Sequence, residues 1–215
     1  MRWRDRFAEL GAEIRRHPLL KVDRYELGAP ASPDAIRDAE KAAGGRLPDG
    51  MREVYEQING LRLEWSARDP STFDTVQPPT GYIKLLEIGT STGTIFGSWD
   101  DWIWFSQDGD ETFKNVKPVD FFINEACAAL YPVPGEMKIH YHYCGEELHP
   151  TGYSFLEYLE LLLESRGYFY WQTALCVDKQ RSKTVVEFRS VMPRLFADFD
   201  NEAFRPNTTQ GEIRF

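Results

Sequence analysis

The sequence predicts an α+β fold, a mostly antiparallel sheet of about five to six strands with helices packed against it. Three observations carry this. Residues 47–65 pass from helical to strand periodicity within one short stretch, LPDGMREVYEQINGLRLEW. Residues 137–144 alternate strictly, with Met137, Ile139, Tyr141 and Tyr143 set against Lys138, His140, His142 and Cys144. The 215 residues are 42% hydrophobic and 14% aromatic, enough for a packed core without staples.

In chain order, Trp3, Phe7, Leu10 and Ile14 fall at helical intervals, so a helix over about residues 2–17 should lie on the core and stop at His17-Pro18. If its apolar stripe were exposed it would signal a dimer. Ser32 caps and Pro33 opens a second helix with Ile36, Ala39, Glu40 and Ala43 on one side, stopped by Gly44-Gly45. Pro48 suits the first position of a third helix, on which Met51, Val54, Tyr55 and Ile58 form one stripe. Asn59-Gly60 then turns the chain into a strand at Leu61, Leu63 and Trp65.

Proline and small polar residues make 67–80 a loop, before a strand near Tyr82. Gly89, Gly93 and Gly97 lack the Lys-Ser/Thr ending of a phosphate-cradling loop. Further strands are expected near Trp102, Thr112 and Met137, with Asp108-Gly109-Asp110 as a hairpin turn between the first two. Residues 119–131, with Phe122, Ala126 and Ala129, read as a helix ended by Pro132. Another helix carries Phe155, Tyr158, Leu159, Leu162 and Leu163 up to Gly167. Residues 168–175 and 191–199 read as further helical pieces. No repeat or long linker divides the chain, which points to a single domain over 1–215 with a C-terminal helical extension from about 167.

The order of Leu47, Pro48, Tyr55, Asn59 and Gly60, following the helix opened by Ser32-Pro33, resembles the SUKH superfamily. That family includes fungal cell-wall assembly regulators of the Smi and Knr kind and many bacterial immunity proteins. The resemblance covers about residues 33–65, with a looser echo at 154–159. It implies a non-enzymatic binding domain without a cofactor, which in bacterial members neutralises a toxin domain, often a nuclease, by occluding it. The five residues are markers of fold and carry no chemistry of their own.

A net charge of −9 disfavours direct contact with nucleic acid, whose phosphates are bound by clustered Lys and Arg. The same charge suits a basic protein partner, drawn in by the summed field. No window approaches the ~18 apolar residues of a membrane span and no secretory h-region opens the chain, so a cytoplasmic protein, monomeric or weakly dimeric, is expected. Cys127, Cys144 and Cys176 fit no disulfide framework and read as reduced thiols.

Charge and aromatic clustering single out Asp100, Asp101, Trp102, Asp108, Asp110 and Glu111 as a partner-binding face, although turns are built of the same residues. His140, His142 and Cys144, with His149 from the following loop, are the candidates for a metal site, since imidazole and thiolate are zinc ligands. Their spacing matches no structural zinc motif, and a strand packed at the surface or in the core is the favoured account of them. The leading expectation is therefore toxin neutralisation. The alternatives are an intracellular regulatory scaffold and a metal-dependent hydrolase built on the histidine cluster.

Overall fold

The computed structural model describes residues 1–75, 77–99, 116–133, 136–143 and 148–207. Among these the chain forms five α-helices and seven strands, in the order α1 (Trp3–Arg16), β1 (Leu20–Leu27), α2 (Pro33–Ala42), α3 (Met51–Tyr55), β2 (Leu61–Ala67), β3 (Thr80–Leu85), β4 (Lys117–Ile123), β5 (Ala126–Val133), β6 (Glu136–Tyr143), β7 (Leu148–Pro150), α4 (Phe155–Glu164) and α5 (Lys183–Leu195). The strands make one sheet in sequence order, every neighbouring pair antiparallel. An α+β fold is thus what forms, with one or two strands more than expected.

Period-two patterning sets the faces of β1 to β3. Leu27, Leu61 and Leu85 share one register row, and Tyr25, Leu63 and Ile83 the next. These rows belong to a contiguous apolar cluster that runs from Trp3 to Phe204 and takes in the buried faces of all five helices. In α1, Trp3, Phe7, Leu10 and Ile14 all face this core, so its stripe is consumed within the chain. Ser32 Oγ accepts the Ala35 N–H at 3.1 Å and Pro33 opens α2, as the sequence dictates. Ser154 and Glu157 make a reciprocal capping box on α4.

Four of the five residues that carry the resemblance have structural roles. Leu47 is buried, and the buried Tyr55 hydroxyl donates to the Leu86 carbonyl at 2.9 Å. Asn59 Oδ1 accepts the Ile88 N–H at 2.8 Å, while the Gly60 carbonyl accepts the Gly28 N–H at 2.9 Å. Asn59 and Gly60 therefore fasten the ends of β1, β2 and β3 together. They do not end α3, which stops at Tyr55. Pro48 also lies outside that helix, because Gly50 with φ 75° is its N-cap and forces a turn first. Glu40 sits at the polar margin of α2 and pairs with Arg52.

Three other expectations are corrected, and one strand is added. Residues 119–131 are not a helix but the hairpin of β4 and β5, turned at Asn124 and Glu125. Val119, Phe121, Phe122 and Ala126 to Leu130 are buried on both sides of the sheet, so alternation is lost and an alanine-rich strand imitates a helix. β1 was hidden by a bulge between Val22 and Arg24, which breaks its period. α5 begins at Lys183 behind a Ser182 cap and ends at Leu195, well before Phe199. Residues 168–175 yield only the 3-10 turn Trp171–Leu175. The expected strands at Trp102 and Thr112, and the Asp108-Gly109-Asp110 turn, lie outside the described residues.

One contact ties the sheet to the helices. The Trp65 indole on β2 lies across Gly81 of β3 and donates to the Arg166 carbonyl at 2.7 Å. A Cβ on Gly81 would stand 2.0 Å from the indole nitrogen, so no larger residue fits there. Burying a tryptophan removes on the order of 200 Å² from water, worth about 5 kcal/mol. Gly81→Ala should therefore lower the unfolding free energy by about 2 kcal/mol or more, read by urea denaturation. In a Trp65→Phe background the same change should cost clearly less; an equal cost in both backgrounds would show that the indole is not the obstacle.

Candidate functional site

Asp100, Asp101, Trp102, Asp108, Asp110 and Glu111 lie outside the described residues, as does Cys144. The histidines can be placed. His140 and His142 share the side of β6 that faces Tyr131, where His140 meets the Tyr131 ring at 5.2 Å. Both are buried, and burial lowers the pKa of each, that of His142 to about 4 with help from the charge of His149. His149 goes the other way. It pairs in register with Tyr141, the rings 5.9 Å apart, and its Nδ1 lies 2.9 Å from Asp178 Oδ2. The antiparallel register thus puts His149 on the opposite side of the sheet from His140 and His142, and it is not their fourth ligand. Among the described residues no group of three or more His, Cys, Asp or Glu could hold a metal ion.

Cys127 and Cys176 are free and buried, and burial pushes both thiols up, away from the reactive thiolate.

The structure brings together two arrangements that sequence reasoning missed. The first is polar and enclosed. Asp120 of β4 is fully buried, its Oδ1 accepting the Lys84 N–H at 2.9 Å, its Oδ2 accepting the Tyr158 hydroxyl at 2.8 Å and the Gln172 amide at 3.2 Å. Burial raises its pKa from 3.8 to about 6 against those three donors. Both oxygens are spent on joining β3, β4, α4 and the following 3-10 turn, which makes Asp120 a structural knot. A lone carboxylate inside the apolar run Val119-Asp120-Phe121-Phe122 was the available signal.

The second arrangement faces outward. On the side of β1 to β3 away from the helices, Arg24 stands opposite Glu64, Glu26 opposite Arg62, and Arg62 opposite Lys84. Ion pairs Arg24–Glu26 (2.8 Å) and Arg62–Glu64 (2.5 Å) hold the side chains across this surface. Lys84 extends over the Phe121 ring at 5.2 Å, its pKa lowered by burial and then by Arg62 and Arg24. Tyr82 on the same side of β3 begins a chain of half-buried aromatics, with Tyr82–Phe169 at 5.3 Å, Phe169–Tyr170 at 4.2 Å and Tyr170–Tyr143 at 6.4 Å. Tyr170 holds a left-handed backbone, φ 60°, secured by the Thr173 N–H and hydroxyl, which both donate to its carbonyl. Non-glycine residues at such angles cluster at functional sites. Burial raises the Tyr170 pKa to about 12, with further contributions from Tyr143 and the exposed Glu125.

No family model matches this chain, and neither a curated protein nor a solved structure matches it. No helix among the described residues is long and apolar enough to cross a membrane.

The Asp120 knot gives a pH signature. Because its folded pKa is raised, its contribution to stability is fully present below the unfolded value near 3.8 and is lost as the pH rises through about 6. Asp120→Asn keeps an acceptor for the Lys84 N–H and removes the titration. From pH 4 to pH 7 the wild type should lose on the order of 2 kcal/mol relative to Asp120→Asn, measured by denaturation at each pH. A difference that stays flat across this range would show that Asp120 titrates normally.

Proposed function

We propose that this chain is a non-enzymatic protein-binding domain, of the immunity-protein type, which neutralises a basic toxin domain by covering it. The observation that carries the reading is the half-exposed aromatic chain of Tyr82, Tyr143, Phe169 and Tyr170 beside the charged outer face of β1 to β3. Partly exposed aromatics surrounded by paired charges are the usual anchors of protein interfaces, where a few such residues hold most of the binding energy. The net charge of −9 adds attraction for a basic partner and speeds encounter. The order of Leu47, Pro48, Tyr55, Asn59 and Gly60 supports SUKH membership, and with it a cytoplasmic binding role without turnover. The residues best suited to chemistry point the same way: Asp120, Cys127, Cys176, His140 and His142 are enclosed in the packed interior.

The test is co-expression with the product of the gene immediately upstream. Protection of the cells and a complex that survives purification are the expected results; a solitary gene, or no rescue, favours the regulatory scaffold. Within a complex, Tyr143→Ala and Phe169→Ala should each weaken binding by about tenfold or more, measured by calorimetry, while circular dichroism stays unchanged. Elemental analysis addresses the hydrolase alternative: stoichiometric zinc, iron or manganese, with lower thermal stability in chelator, would replace the binding reading.

A further inference from the structure

Beside the aromatic chain is a cavity of about 230 Å³, lined by Tyr168, Phe169 and Tyr170 and by Lys183, Thr184 and Glu187 of α5. Pockets for drug-sized ligands run from roughly 300 to 1,000 Å³, so this one has room for a single side chain. Its geometry comes from two local constraints. The left-handed Tyr170 turns the chain sharply after residues 167–169, which pair with β3 through Tyr82 N–H to the Gly167 carbonyl and Phe169 N–H to the Thr80 carbonyl. The Ser182 cap then fixes the start of α5, which brings Glu187 alongside Tyr168.

Glu187 is the unusual group. Its Oε1 is closed off from water and has no hydrogen-bond partner. Glu187 itself is half-buried and lines the cavity, and a cation bearing N–H groups seated there would supply the opposite charge that its carboxylate lacks. Lys183, one turn earlier, does not fill that role: it is exposed and forms no ion pair among the described residues. The Tyr168 hydroxyl is held above its ordinary pKa by burial and then by the negative charge of Glu187. Aromatic faces around a carboxylate attract cations, most strongly where water is excluded.

We infer that this cavity is a socket for one cationic side chain, lysine or arginine, of a basic protein partner, with Glu187 as counter-ion and Tyr168, Phe169 and Tyr170 as walls. The assignment rests on the protein-binding reading and gives it a location. The chain's net charge of −9 selects a basic partner, and the neighbouring Tyr82 and Tyr143 supply the apolar surround that keeps such a contact dry. Lys183 carries the same charge as the guest and weakens it from the rim.

The probes are acetylated, amidated Gly-Arg-Gly, Gly-Lys-Gly and Gly-Glu-Gly, with tetramethylammonium, titrated into the full chain and followed by NMR. Saturable shifts at Tyr168, Tyr170 and Thr184 are expected with the Arg and Lys peptides and none with the Glu peptide. Glu187→Gln should weaken the Arg peptide by about tenfold, and Lys183→Glu should tighten it by about threefold. Tyr170→Gly, which suits the left-handed backbone better than tyrosine, removes a wall while keeping the fold and should also weaken it. Equal binding by wild type and Glu187→Gln, or shifts scattered over surface acids, would overturn the socket. Tighter binding of tetramethylammonium than of either peptide would assign the cavity to a small quaternary ammonium ion instead. Toxin protection that Glu187→Gln leaves intact removes the socket and keeps the immunity reading, whereas saturable peptide binding without any protection keeps the socket and removes that reading.

Discussion

The indole of Trp65 lying flat across Gly81 is the contact on which the rest of the architecture leans. It fills the space that a side chain on Gly81 would take on the core side, and its N–H reaches the carbonyl of Arg166 just beyond α4. Arg166 has a left-handed backbone of its own, φ 52°, and its guanidinium binds Glu13 of α1 at 3.1 Å and Asp198 beyond α5 at 2.7 Å while covering the Phe196 ring. One aromatic side chain therefore locates the sheet, the first helix, α4 and the chain that follows α5. It also locates the proposed binding surface, because residues 167–169 leave Arg166 directly into pairing with the outer edge of β3.

Polar groups play a second organising part. Asp120 and Arg166 are both enclosed, and each is shared by elements distant in sequence. Such groups contribute less to net stability than apolar packing does, since removing them from water offsets most of what their bonds return. Their effect is on specificity: a slipped register at β4 would strand the carboxylate among Val119, Phe121 and Phe122 without its donors. The sheet there has apolar residues on both faces, so periodicity alone would tolerate such a slip.

Legibility in the sequence followed burial. Where one face meets water, as in α1, α2 and β2, alternation or helical spacing located the element closely. Where both faces are covered, as in the β4–β5 hairpin, alanine-rich residues carry no period and read as a helix. Bulges act similarly, since one inserted residue hid β1. The α+β class was legible because it depends on turns and stripes. The outward aromatics were not, because Tyr82, Tyr143 and Phe169 are brought together by the pairing of residues 167–169 with β3, which no local pattern announces, and the turn at Tyr170 breaks the rule that such angles belong to glycine. The histidines show the converse: a cluster compact in sequence is divided by strand register between two sides of the sheet.

The first helix illustrates how this topology bears on assembly of the molecule during synthesis. Every strand pairs with its sequential neighbour, so the sheet can zip up from hairpins as the chain emerges. α1 meets β1 at once, where the Tyr25 hydroxyl donates to the Phe7 carbonyl, but Arg6 waits for Glu160 and Glu13 for Arg166, partners separated by 154 and 153 positions. Between the synthesis of β1 and that of α4, Trp3, Phe7, Leu10 and Ile14 are consequently incompletely covered, and that interval is when chaperone capture would matter most to yield.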